Sequence, residues 1–175
     1  MELALALAAD LEPEPGAGPA SAGVSAAPAP AEDSADVPVG AVVLNPGGAV
    51  IAIGRNRREA DADPSAHAEI VALRSAGRAL GTWRLADCTL VVTLEPCTMC
   101  AGAVLNARIA RLVYGAADER AGAAGSRWDV LHDRRLGPPV EVIGGVLADE
   151  SALLLREFFA RRRPETGEPD GPVLR

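Results

Sequence analysis

The sequence predicts an α/β fold in which helices cover both faces of a mixed five-stranded sheet, giving a three-layer α/β/α architecture. From residue 37 onward, β-rich runs alternate with segments of helical periodicity, and strands separated by helices favour parallel pairing. The first two β-rich runs are joined by only three residues, Pro46-Gly47-Gly48, which favours an antiparallel hairpin. With 175 residues, of which 49% are hydrophobic, the chain can bury one such core.

Five strands are predicted at residues 39–45, 49–55, 88–94, 111–115 and 140–144. The third run is continuously apolar, which is typical of a central strand that is buried on both faces. Helices are predicted at residues 3–11, from about residue 66, at 98–108 and at 149–163.

Helical periodicity and capping preferences define these helices further. Ser65 and Asp149 are the expected N-caps of the second and fourth helices, because their side-chain oxygens can accept hydrogen bonds from free amides. Helical spacing predicts which side chains face the core. These are Ile70, Leu73, Gly77 and Leu80 on the second helix, and Leu154, Leu155, Phe158 and Phe159 on the fourth.

The excess of acidic over basic residues lies near the N-terminus. Seven of the 24 acidic residues lie in residues 1–36, where no basic residue occurs, and the other 17 balance the 17 arginines. The net charge of −7 therefore does not exclude nucleic acid as a partner of the remaining chain. We expect a helix at residues 1–11, a flexible Pro/Ala-rich acidic insertion at 12–36, the folded domain at 37–163 and a flexible tail at 164–175.

The cysteine count and the N-terminal residues favour a cytoplasmic location. Three cysteines are too few for a disulfide scaffold. Residues 1–9 are apolar, but they have no basic flank and are too short to span a membrane. We therefore expect a cytoplasmic protein with no membrane partner.

Two short motifs carry the residues that can perform chemistry. His67-Ala68-Glu69 lies where the second helix begins, and Pro96-Cys97-Thr98-Met99-Cys100 joins the buried third strand to the third helix. Separately, each motif is a weak signal, because a histidine at a helix start is more often a surface or capping residue. A Cys-x-x-Cys pair can equally be a redox pair or half of a structural zinc site.

Together, the two motifs predict a catalytic zinc site. His67, Cys97 and Cys100 offer three protein ligands, and this number leaves the fourth tetrahedral position of Zn²⁺ open for water. Both motifs lie in the first turn of a helix, where free amides favour thiolate over thiol. Glu69 follows His67 by two residues, so its carboxylate can take a proton from that water and deliver it to a leaving group.

These motifs resemble the signature of the zinc nucleobase deaminases, in which His-x-Glu is followed by Pro-Cys-x-x-Cys. The finer resemblance is to the bacterial tRNA-specific adenosine deaminases, and it covers essentially residues 36–163. The resembling stretches include residues 37–42 (VPVGAV), 55–57 (RNR), 63–73 (DPSAHAEIVAL), 93–109 (TLEPCTMCAGAVLNARI) and 122–126 (GAAGS). The chain departs from the family pattern at Ala117 and at residues 137–139, where the family often has polar or basic side chains.

The resemblance implies a cytidine-deaminase-like fold and a role for each matching residue. It implies that His67, Cys97 and Cys100 bind Zn²⁺ and that Glu69 transfers protons. It also implies substrate contacts by Pro38, Val39, Asn56, Asp118, Phe159 and Arg162. From the residues alone, Asn56 could instead be a turn residue and Phe159 a core residue.

The reaction that the resemblance implies is hydrolysis of adenosine to inosine at the wobble position of a tRNA anticodon. Zinc-bound hydroxide would attack carbon 6 of the adenine, with Glu69 as the proton shuttle. The implied partners are the tRNA anticodon loop and a second copy of the chain. Two alternatives stay open: a deaminase of a free base or nucleoside such as guanine or cytosine, and a non-catalytic zinc-binding subunit that presents RNA.

Overall fold

Five strands form one sheet, and the structure, a computed structural model, describes residues 1–9 and 35–162. The strands are β1 (Gly40–Leu44), β2 (Val50–Arg55), β3 (Thr89–Leu94), β4 (Arg111–Ala116) and β5 (Glu141–Ile143). Their order across the sheet is β2-β1-β3-β4-β5. β1 is antiparallel to both β2 and β3, whereas β3, β4 and β5 are parallel to one another. The predicted mixed five-stranded sheet is confirmed.

Four helices cover the two faces of this sheet: α1 (Glu2–Ala8), α2 (Ala68–Leu80), α3 (Thr98–Ala107) and α4 (Ala148–Arg161). Alternate side chains of β1 enter different cores, because Val43 packs in the cluster that contains α2 and α3, and Val42 packs in the cluster that contains α1. Gly115 of β4 faces Ser151 of α4, on the same side of the sheet as α1. The predicted three-layer arrangement is therefore confirmed.

The start of β1 and the carboxyl ends of β2, β3 and β4 lie together along one side of the sheet. β3 and β4 are parallel, and Leu94 lies opposite Ala116, so their carboxyl ends are adjacent. β1 is antiparallel to β3, so its first residue, Gly40, lies beside these carboxyl ends. Gly40 pairs there with Arg55, the last residue of β2. Crevices beyond the carboxyl ends of parallel strands are the usual ligand sites of open α/β sheets.

Small residues allow α2 to lie directly against β2. Ala68, Ala72 and Ala76 are completely buried, and a Cβ added to Gly54 would lie 2.2 Å from the Ala68 carbonyl oxygen. Leu80, which the periodicity placed on the buried face, is 44% exposed, so that prediction is wrong. Leu80 is the last residue of α2, which ends at Gly81 in the left-handed conformation, whereas the buried contact with β2 is made by the alanines nearer the start of the helix.

Both predicted N-caps are wrong by two residues. His67 is the N-cap of α2, and the Ser65 hydroxyl instead donates a hydrogen bond to Asp63 Oδ1 at 2.7 Å. Leu147 is the N-cap of α4, so Asp149 lies in the first turn. A carboxylate there still favours the helix, because it faces the positive end of the helix dipole.

The buried stripe of α4 and the ends of the folded domain also differ from the predictions. Phe158 is buried as predicted, but Phe159 is 52% exposed, since neighbouring residues of a helix point about 100° apart. Asp36, which we assigned to the acidic insertion, is 8% exposed and accepts hydrogen bonds from the backbone amides of Glu59 and Ala60. Residues 12–34 of that insertion and the predicted tail lie outside the described residues. Across the described ranges, no helix is long and apolar enough to cross a bilayer.

Candidate active site

Three possible metal ligands converge where α2 and α3 begin. His67 and Cys97 are the N-caps of α2 and α3, and Cys100 lies in the first turn of α3. His67 Nδ1 lies 3.8 Å from Cys97 Sγ and 3.6 Å from Cys100 Sγ. The ligand atoms of the three residues all lie within 4.8 Å of one another, and both cysteines are free thiols. The structure therefore brings the two sequence motifs together.

The donor atoms and their spacing fit Zn²⁺. Zinc–sulfur and zinc–nitrogen bonds of roughly 2.3 Å and 2.0–2.1 Å place two ligand atoms of a tetrahedral site about 3.6 Å apart. The measured sulfur–nitrogen distances of 3.6 Å and 3.8 Å agree with that spacing. Among the described residues, the cluster comprises only these three ligand groups, which matches a catalytic site with one open position.

A hydrogen bond between the two cysteines moves their pKa values in opposite directions. A hydrogen bond from the Cys100 thiol lowers the pKa of Cys97 to about 4, against the opposing effect of burial, and His67 lowers it further. The same hydrogen bond raises the pKa of Cys100, and burial adds to that increase. The pKa of His67 is raised, mainly by its hydrogen bond with Cys97. Cys97 is therefore a thiolate at neutral pH, which is the form that binds a metal ion.

Glu69 lies beside this cluster in the first turn of α2. Its side chain is only 4% exposed, and the Cys100 thiol is one of its hydrogen-bond partners. Burial raises the pKa of Glu69, while the neighbouring His67 acts in the opposite direction. A buried carboxyl group next to an open metal position can exchange protons with a molecule that enters the site.

A cavity of about 290 Å³ adjoins the cluster, and His67, Glu69 and Cys97 form part of its wall. Pockets for small molecules measure roughly 300–1,000 Å³, so this cavity has room for a ligand as small as a single base. Three of the predicted substrate-binding residues also line it: Val39, Asn56 and Asp118. They come from the segments that adjoin β1, β2 and β4 at the shared sheet edge.

Asn56 is held in a defined orientation at this cavity. Its Nδ2 donates a hydrogen bond to the Val37 carbonyl oxygen at 3.2 Å. Its Oδ1 is buried and has no hydrogen-bond partner among the described residues. A buried acceptor without a partner is costly, so a ligand that offers an N–H group would relieve that cost.

Glu95 is a buried acid that the sequence analysis did not assign to the site. It follows β3, is 2% exposed and lines the cavity. Its carboxylate accepts hydrogen bonds from the backbone amides of Asp118 at 3.0 Å, Ala124 at 2.9 Å and Ser126 at 3.0 Å, and from the Ser126 hydroxyl. Burial opposes ionisation, but these hydrogen bonds outweigh it, so the pKa of Glu95 is lowered. An acid directly after a buried strand was the available signal, because buried acids are rare without such partners.

The remaining predicted contacts do not line this cavity in the part of the chain that the structure describes. Pro38 precedes Val39 but is absent from the cavity wall. Phe159 and Arg162 lie at the end of α4, where Phe159 packs edge-to-face on Phe158 with ring centroids 5.2 Å apart. The Arg162 guanidinium lies 3.7 Å from the Phe158 ring centroid. The structure thus separates the α4 contacts from the metal cluster.

Comparisons with known proteins agree with this site. Residues 21–116 match the cytidine and deoxycytidylate deaminase zinc-binding region. A tRNA-specific adenosine deaminase of Haemophilus influenzae is 47% identical over 134 residues, which are 77% of this chain and 78% of that protein. A structure from a study of A-to-I editing by tRNA:A34 deaminases at the wobble position superposes with a TM-score of 0.66 and 45% identity, covering 68% of this chain and 86% of that one.

A second kind of relative is much longer than this chain. A tRNA(Ile)-lysidine synthase of Deinococcus radiodurans is 53% identical over 146 residues, which are 80% of this chain but only 25% of that protein. The family itself is settled by the match to its zinc-binding region and by the identity to the shorter relative. The chain belongs to the cytidine and deoxycytidylate deaminase zinc-binding family, and its cofactor is Zn²⁺.

Proposed function

We propose that this chain is a zinc-dependent enzyme that hydrolyses adenosine to inosine at the wobble position of a tRNA anticodon. The observation that carries the proposal is the cavity, in which Glu69 and the metal cluster share a wall with Asn56 and Asp118. The Haemophilus influenzae relative, a tRNA-specific adenosine deaminase, supports RNA as the substrate. A base of an anticodon loop is unstacked at low cost, so it can enter a cavity of this size.

His67, Cys97 and Cys100 would hold the zinc, and Glu69 would move the protons. Zinc in this site would supply a Lewis acid that activates water for attack on carbon 6 of the adenine. Glu69 would take a proton from the attacking water and deliver it to ring nitrogen 1. It would then move the proton of the hydroxyl group added to carbon 6 to the amino group, so that the carbon–nitrogen bond breaks, ammonia leaves and the carbonyl group of inosine forms. Burial suits Glu69 to this exchange, because it raises the pKa of the carboxyl group and so favours the form that can donate a proton.

Asn56, Val39 and Asp118 would bind the nucleotide. The free acceptor at Asn56 Oδ1 complements the exocyclic N–H groups of adenine, and Val39 offers an apolar surface beside it. Asp118 would contact the sugar, as the family resemblance implies. Arg58, which lines the cavity and has a 57% exposed side chain, can meet a phosphate of the loop.

The proposal is tested by mapping inosine on tRNA after incubation with the wild type and with Glu69→Ala. The wild type should convert the wobble adenosine, and Glu69→Ala should be slower by roughly 10²–10⁴-fold while it retains zinc. The exposed Glu119→Gln is the matched control and should act like the wild type. Unchanged inosine formation by Glu69→Ala would exclude the proton role. Deamination of free guanine or cytosine with untouched tRNA would favour the alternative substrate class.

We also propose that the enzyme is a homodimer. An apolar groove between α2 and α3 is lined by Leu73, Gly77 and Ala103, and the 65% exposed Trp83 stands beside it. Association would remove this surface from water. Sedimentation equilibrium should give twice the mass of the chain. A monomer mass at micromolar concentration would contradict the dimer. A cytoplasmic location stays a prediction from the cysteine count and the N-terminal residues.

A further inference from the structure

Glu95 connects two parts of the cavity wall. It precedes the proposed metal ligand Cys97 by two residues, and its carboxylate accepts the Asp118 amide from the loop that follows β4. Backbone contacts close the same loop onto the start of α3, because the Ala123 amide donates to the Pro96 carbonyl oxygen at 2.8 Å. The segment that carries Cys97 and the loop that carries Asp118 are therefore joined through one buried side chain.

The loop that carries Asp118 offers Glu95 hydrogen-bond donors, which suit a carboxylate better than a side chain that also carries a donor. Four hydrogen bonds converge on the two oxygens of Glu95, and three of their donors are backbone amides that cannot act as acceptors. Gly122 fits against this group so closely that an added Cβ would lie 2.5 Å from Glu95 Cδ. The loop can hold this path only while position 122 has no side chain.

An amide in place of this carboxylate would release Asp118 in particular. Glu95 Oε1 receives two backbone amides, whereas Oε2 receives the Asp118 amide and the Ser126 hydroxyl. A glutamine would place its NH₂ group on the Oε2 side, because the Ser126 hydroxyl can rotate to accept. The Asp118 amide would then face another donor and lose its hydrogen bond.

We propose that Glu95 is a positioning residue that holds Asp118 in place for the nucleotide, and so sets the affinity for RNA more than the rate of deamination. This inference rests on the proposed function, since it assumes that the cavity receives a nucleotide of RNA. Glu95 acts through Asp118 and does not touch the reacting atoms. The bond that matters runs from the Asp118 backbone amide to the Glu95 carboxylate.

The test compares Glu95→Gln with the wild type on an anticodon stem-loop. KM should rise about tenfold, as expected when a hydrogen bond to a charged group is lost, while kcat changes less than about threefold. Zinc content by atomic absorption should remain that of the wild type. Glu119→Gln, the same change at an exposed position of this loop, should leave KM and kcat unchanged. A fall in kcat with unchanged KM, or loss of zinc, would overturn the inference.

A double-mutant cycle separates positioning from general loop damage. Asp118→Ala should raise KM by itself, and adding Glu95→Gln should then raise KM further by less than about threefold, because the residue to be positioned is gone. Effects that multiply fully would show that Glu95 does not act through Asp118. A wild type that forms no inosine would contradict the proposed function, whereas an active wild type with a normal KM in Glu95→Gln would contradict this inference alone.

A second variant tests the same contact if Glu95→Gln does not fold. Gly122→Ala keeps the carboxylate but displaces the loop around it, since the added Cβ would lie 2.4 Å from the Asp118 carbonyl oxygen and 2.5 Å from Glu95 Cδ. KM should again rise about tenfold with little change in kcat. An unchanged KM in folded, zinc-loaded Gly122→Ala would overturn the inference.

Discussion

The cavity and the end of α4 both carry residues with proposed roles in RNA deamination, but the two regions are built differently. At the cavity, the groups that bind metal and move protons lie in the first turns of two helices, and Glu69 is 4% exposed. At the end of α4, Phe159 is 52% exposed and Arg162 stacks on Phe158 at the surface. Packing against the sheet holds the side chains of the cavity in place before a substrate binds. The exposed side chains at the end of α4 can change position when the proposed RNA substrate binds. We therefore expect large effects from changes at the cavity and small ones from changes at α4.

The largest expected effect follows from removing a proposed metal ligand. Cys97→Ser should lose most of its zinc and all measurable inosine formation, because a serine hydroxyl stays protonated and is a poor zinc ligand. Cys88→Ala is the matched control: Cys88 is a buried free thiol outside the cluster, so its loss should leave the zinc content at about one per chain. Equal zinc contents in the two variants would contradict the proposal that Cys97 is a zinc ligand and Cys88 is not.

An intermediate effect is expected in the reactivity of the metal-free thiols. Because the pKa of Cys97 is lowered to about 4, this thiol is ionised at pH 7, whereas the raised pKa keeps Cys100 protonated. Iodoacetamide should label Cys97 at least about tenfold faster than Cys100, and zinc should protect it. The rate at Cys97 should fall only as pH drops through about 4, where the thiolate gains a proton. Equal labelling of both cysteines, measured by peptide mass spectrometry, would contradict the assigned thiolate.

The smallest effect is expected at the end of α4. Arg162→Ala should raise KM for tRNA roughly threefold and reduce the slope of log KM against log salt by about one, as for one lost phosphate contact. kcat should stay unchanged. Arg156→Ala, an exposed arginine on another side of the same helix, serves as the control and should keep the wild-type slope. A kcat effect at Arg162 as large as that of Glu69→Ala would remove the distinction between the two regions.

Much of the fold could be predicted because it depends on local patterns. The apolar run before Pro96 marked β3, and the Pro46-Gly47-Gly48 turn marked the β1–β2 hairpin. Errors arose where packing decided the outcome. Leu80 was placed by periodicity, but the close contact of α2 with Gly54 favours alanine at the interface. Phe159 was placed in the buried stripe, but Phe158 takes the buried position, and its neighbour, about 100° further around the helix, is exposed.

In the candidate site, too, some residues could be predicted from local sequence patterns and others could not. His67, Glu69, Cys97 and Cys100 could be chosen from residue type and spacing, because zinc needs soft and imidazole ligands and the proton shuttle must lie beside them. The position of Glu95 directly after a buried strand could mark it as a buried acid, but its role could not be assigned, because its four donors come from residues 118–126 and no local pattern connects them to β3. Likewise, the sequence gives no indication that Asp36 would accept amides from the turn at residues 59 and 60.

The sequence by itself determined the ligand types and the acid beside them, since these depend on neighbouring residues along one chain segment. Only the tertiary structure decided that His67 and Cys97, 30 residues apart, meet within 3.8 Å. It also decided that the start of β1 and the ends of β2, β3 and β4 enclose one cavity, and that Glu95 ties two parts of its wall. The physical reason is strand order, because the antiparallel β1 beside the parallel β3–β4 pair gathers distant segments at one edge of the sheet.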